Sequence, residues 1–116
     1  MTKSRAQIIS TSIYRSTTEQ RWAIQGRAIM GALIGRPVHI ELYEPVTLKL
    51  PGGSYTPDFL YVFDDGLTAF VEVKGSTKQR GYRDARAKLR AAAELYAIWD
   101  FYEVRPGATW TVEKIT

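Results

Sequence analysis

The chain has no cysteine and a single histidine, His39, among its 116 residues. The first absence excludes a disulfide framework and any thiolate metal site. The second excludes a multi-histidine zinc site within one chain. Apolar residues come only in short runs, so no segment is long enough to span a membrane. The opening MTKSRAQIIS carries positive charge without the apolar stretch of a signal peptide, so a cytoplasmic protein with no membrane partner is expected. Repeats, low-complexity tracts and linkers are missing too. The chain therefore reads as one domain, residues 1–116, with 1–14 as an N-terminal arm or short strand.

Charge is present in both signs, but unevenly. Residues 1–36 hold six Lys/Arg against one acid, Glu19; residues 37–75 hold two lysines against six acids; residues 76–90 hold six Lys/Arg against Asp84 alone. An acidic centre between basic flanks suits a site that holds a cation and draws in a polyanion. It also suits two solvated basic surfaces, and charge asymmetry does not choose between them.

Ser16-Thr17-Thr18-Glu19 is a capping-box pattern, and Trp22, Ile29 and Leu33 behind it predict a helix ending near Gly35, before Pro37. Residues 39–43 and 46–50 read as strands broken at Pro45, and Pro51-Gly52-Gly53 as a turn before a hairpin. Over residues 82–96 the apolar positions Tyr82, Ala85, Leu89, Ala92, Ala93 and Tyr96 recur at helical spacing. Arg83, Arg86 and Arg90 form a stripe on the opposite side. Residues 98–104 and 110–115 make a last pair of strands around Arg105-Pro106-Gly107. The order α-β-β-β-α-β-β points to an α/β domain of mixed α+β kind, a central sheet covered by two helices. Trp22, Trp99 and Trp110 are read as core with Tyr82, Leu89 and Tyr96, and His39 as structural.

The hairpin YTPDFLYVFDDGLTAFVEVKG, residues 55–75, is the unusual stretch. A two-residue Asp65-Gly66 turn would pair Asp58 with Val73 and put Glu72 on the far face. A three-residue Asp64-Asp65-Gly66 loop pairs Phe63 with Leu67 and so Asp58 with Glu72, with Lys74 one step along. The second fits a type I turn followed by a left-handed glycine. Two carboxylates directly opposed cost a sheet about 0.2–1 kcal/mol, which a structural role does not require. A hard divalent cation does, since carboxylate oxygens are its preferred ligands. Two solvent-facing acids beside a lysine are the alternative.

Pro57-Asp58, thirteen residues and then Glu72-Val73-Lys74 resembles the motif of the PD-(D/E)XK nuclease superfamily. The wider strings, Tyr55-Thr56-Pro57-Asp58-Phe59 and Val71-Glu72-Val73-Lys74-Gly75, are similar to those of the phage endonuclease I type of junction-resolving enzyme and related small phage and transposon nucleases. The resemblance implies a restriction-endonuclease-like fold and phosphodiester hydrolysis that usually leaves a 5′-phosphate. It implies Mg2+ or Mn2+ held by Asp58, Glu72 and the main-chain carbonyl of Val73, with Lys74 as the catalytic lysine. Glu19 matches an acid that many members add to the metal site, although its place in a capping box needs no metal. Lys78, Arg80, Arg83, Arg86 and Arg90 then become candidate phosphate contacts, or else a solvated helix face. DNA is the expected partner, cut according to its structure or with weak sequence preference. A homodimer or a larger phage or mobile-element assembly is the expected setting. The rival reading is a nucleic-acid-binding module that does no chemistry, or a subunit active only beside a partner.

Overall fold

The computed structural model describes residues 13–75 and 81–116. Most of the expected N-terminal arm, and the basic residues Lys78 and Arg80, lie outside them. Helix α1 (Thr17–Ile34) starts at Ser16, whose extended backbone turns its hydroxyl to accept the Glu19 N–H at 3.1 Å. It stops at Gly35, left-handed at φ +80°, whose N–H closes on the Gly31 carbonyl. The buried stripe of α1 is Glu19, Trp22, Gly26 and Met30 rather than the expected Trp22, Ile29 and Leu33. Leu33 is 53% exposed. The physical reason is Gly26, where an added Cβ would lie 2.5 Å from the Trp22 ring and 2.6 Å from the Tyr61 hydroxyl. The helix comes closest to the sheet where it has no side chain, and its buried face is centred there.

The strands are β1 (Val38–Tyr43), β2 (Leu48–Leu50), β3 (Gly53–Tyr55), β4 (Phe59–Phe63), β5 (Thr68–Val73), β6 (Asp100–Arg105) and β7 (Thr111–Ile115), with helix α2 (Tyr82–Leu95) between β5 and β6. This corrects the expected order α-β-β-β-α-β-β: the described residues hold seven strands where that order has five. The main sheet runs β1-β4-β5-β6-β7, antiparallel except for β5 and β6, which the α2 crossover makes parallel. The fold class is therefore mixed α/β. Strands β2 and β3 form a separate ribbon about Gly52, at φ +79°. Strand ends also shift: Ile98, expected in β6, is 83% exposed and precedes it.

Alternation along the strands builds a core on each face of the sheet. On one face Phe59, Tyr61, Phe63, Val71 and Val104 pack with Trp22 and Met30 of α1. On the other, Phe70, Phe101 and Ile115 pack with Leu89 and Ala92 of α2 and with Leu48 and Tyr55 of the ribbon. Trp99 and Trp110 are partly buried at the edges of these clusters, and His39 is exposed on β1. Among the described residues no helix is long and apolar enough to cross a membrane.

Candidate active site

The β4–β5 loop sets the site. The Phe63 N–H reaches the Leu67 carbonyl, the Gly66 N–H reaches the Phe63 carbonyl, both at 2.9 Å, and Gly66 is left-handed at φ +89°. This is the three-residue loop. The ladder pairs Phe59 with Val71 and Val62 with Thr68, so one step beyond it Asp58 stands opposite Glu72. The same level continues across the sheet, because Glu72 pairs with Glu103 and Glu103 with Glu113. Four carboxylates thus lie in one row over four strands spaced about 4.8 Å apart, on the face covered by α2.

Their charges are met unequally. At the β6–β7 end Arg86 contacts Glu103 at 2.7 Å and Glu113 at 2.8 Å, Arg105 also pairs with Glu103, and the Tyr82 hydroxyl donates to Glu103 at 3.1 Å. Two acids there face two guanidinium groups. At the β4–β5 end Lys74 is the one cationic partner among the described residues, 2.9 Å from Glu72 Oε2, while the Tyr55 hydroxyl donates to Glu72 Oε1 at 2.7 Å. Asp58 has no ion pair among the described residues; its Oδ2 accepts the Val73 N–H at 2.8 Å. Burial first, and then the charge of Glu72, push the Asp58 carboxyl up to about 8. The Tyr55 phenol is also pushed well up by burial, so it stays a donor.

Glu19 joins this end from α1. It is buried and accepts the Tyr43 hydroxyl at 2.6 Å, and its charge also raises the proton affinity of Asp58. Its backbone N–H serves the Ser16 cap while its carboxylate accepts the Tyr43 hydroxyl, so the cap leaves the carboxylate free for another role. In an extended strand the N–H and C=O of one residue point to the same side. With the Val73 N–H on Asp58, its carbonyl is turned to that side also.

The donor set bears directly on the cation the sequence implies. Two opposed carboxylates, a main-chain carbonyl and a nearby third acid are all oxygen donors short of positive charge, which suits Mg2+ or Mn2+. Among the described residues no three Asp, Glu or His side chains converge on a point that could hold a metal by themselves.

The arginine stripe divides. Arg83 and Arg90 are exposed on the outer face of α2. Arg86 corrects the expected stripe: its side chain is only 15% exposed and is committed to Glu103 and Glu113. Sequence reading missed Glu103, Glu113 and the hydroxyl of Tyr55, and it placed Arg105 in a turn, whereas Arg105 ends β6 and pairs with Glu103. One signal for Arg86 was present, since it lies four residues after Tyr82 and three before Leu89, on the flank of the apolar face. No family model matches the chain, and no curated protein matches it.

Proposed function

We propose that the protein is a metal-dependent DNA endonuclease that hydrolyses phosphodiester bonds, with Asp58, Glu72 and Lys74 at its centre. The observation that carries this reading is Asp58, a buried carboxylate set opposite a second one with no cation of its own among the described residues. Beyond accepting the Val73 N–H, burying two opposed acids costs the fold unless a proton or a cation enters between them. The likeness of the two hairpin strings to PD-(D/E)XK nucleases supports the same reading.

Asp58, Glu72 and the Val73 carbonyl would hold Mg2+ or Mn2+, with Glu19 beside them. What such an ion supplies when bound is charge stabilisation at the phosphate oxygens and a lowered pKa for water. The Lys74 ammonium, fixed on Glu72 at 2.9 Å, is a donor beside the acids that can hold a phosphate oxygen as charge builds on it. In the reaction a water oxygen bonds to phosphorus, the bond from phosphorus to O3′ breaks, and the water proton ends on the released 3′ oxygen. Arg83 and Arg90 on α2 would contact backbone phosphates, with Lys78 and Arg80 preceding them in sequence. Such contacts position DNA without reading its bases, so structure-directed or weakly specific cleavage is proposed.

A second reading, a non-catalytic DNA-binding module or a subunit completed by a partner, is favoured by one observation: both oxygens of Glu72 are already engaged. Linear, nicked, flapped and four-way DNA, incubated with the protein and Mg2+ or Mn2+, separates the two. The nuclease reading expects cleavage by the wild type and its loss in Asp58→Ala and Lys74→Ala. Equal cleavage by either variant would remove the site assignment, and binding without cleavage of any substrate would favour the second reading.

A further inference from the structure

We infer that Tyr55 is a positioning residue for Glu72, acting from the β2–β3 ribbon; the inference rests on the metal-dependent reading above. Tyr55 closes β3, is 7% exposed, and donates its hydroxyl to Glu72 Oε1 at 2.7 Å. Lys74 holds the other oxygen, so Glu72 is gripped from two sides. Without that grip the Glu72 side chain would be free to take other rotamers.

The ribbon is built to hold Tyr55 in place. It belongs to neither edge of the main sheet, and Leu48 pairs with Tyr55 across it. Both pack against Phe70, Leu89 and Phe101, and the Tyr96 hydroxyl at the end of α2 donates to the Lys49 carbonyl at 2.8 Å. The phenol therefore arrives on a braced element. It takes one of the roughly four lone-pair positions of the carboxylate, so it fixes orientation without filling the ligand. Outer partners of this kind are typically worth about 10–100-fold in metal affinity.

The test is Mn2+ binding followed by electron paramagnetic resonance of the free ion, on wild type, Tyr55→Phe and Asp58→Ala, with thermal melts of the same samples. Tyr55→Phe is expected to bind Mn2+ about 10–100-fold more weakly. Its cleavage rate should return toward the wild-type value at saturating Mn2+, because the ligands themselves remain. A folded Tyr55→Phe with unchanged Mn2+ affinity overturns the inference and leaves the nuclease reading standing. A wild type that binds no Mn2+ overturns both. A measurement on the wild type alone guards against an unstable variant: in protein carrying ζ-13C tyrosine, Mg2+ should shift the Tyr55 signal and leave that of Tyr61, on the other face, in place. An unmoved Tyr55 signal in a sample that binds Mg2+ also overturns the inference.

Discussion

Arg86 on α2 and Glu103 on β6 meet at 2.7 Å, and the Glu103 side chain has no exposed surface. Arg86→Ala would leave buried Glu103 with Arg105 as its one remaining guanidinium among the described residues, a loss of part of the about 3–5 kcal/mol that a fully stranded buried charge costs. Arg86→Ala is therefore expected to lower the urea midpoint sharply. Arg83→Ala and Arg90→Ala, on the exposed face, should stay within about 0.5 kcal/mol of wild type. They should weaken DNA binding instead, and reduce the slope of log affinity against log salt by about 0.9 for each phosphate left without its arginine. Equal stability losses in all three would place Arg86 on the surface stripe after all.

Asp58 ties stability to pH. Its carboxyl rises from 3.8 to about 8 on folding, so between those values the folded chain keeps a proton that the unfolded chain releases. Stability from this group is complete at low pH and is lost as pH rises through the folded value. Asp58→Asn keeps an acceptor for the Val73 N–H and removes the titration. In metal-free buffer the variant should melt above wild type at pH 8, with the gap closing toward pH 4. Millimolar Mg2+ at pH 8 should raise the wild-type Tm and leave the variant unchanged. A gap independent of pH would show that Asp58 holds no proton in the fold.

Two glycines of one helix should respond oppositely to alanine. At Gly26 the new methyl would meet Trp22 and Tyr61 at 2.5–2.6 Å, an overpacking worth about 1–3 kcal/mol of destabilisation. At Gly31 it meets only the Arg36 carbonyl, at 3.4 Å, and the helix should gain up to about 1 kcal/mol. Chemical denaturation of the two variants decides whether α1 touches the sheet where Gly26 places it.

What the sequence made legible was local. The Ser16 cap, the Gly35 stop and the three-residue loop each follow from a few adjacent residues, and the facing of Asp58 and Glu72 follows from the loop by counting. What stayed hidden depended on partners far along the chain. Glu103 sits in DFYEVR as one of three charged residues, and only the arrival of Arg86 from α2 and Arg105 from its own strand lets it be a buried charge. Of the ribbon, β2 falls within the strand expected over 46–50 and Gly52 within the expected turn, but β3 is three residues long, too short for alternation to show. Tyr55 was read as part of a motif string, but its hydroxyl found a role only once the ribbon laid it over Glu72.

The Asp64-Asp65-Gly66 loop acts as a phase setting for the whole acidic row. Strand side chains alternate with period two, so a loop one residue shorter would rotate β5 by half a period against β4. Glu72 and Lys74 would then face α1, Val71 and Val73 would face the ribbon, and Asp58 would stand alone, with every residue of the site still present in the chain. The chemistry proposed for this protein is thus stored as much in the length of a solvent-exposed turn as in the acids themselves, and variation in that turn is where it would most easily be switched off.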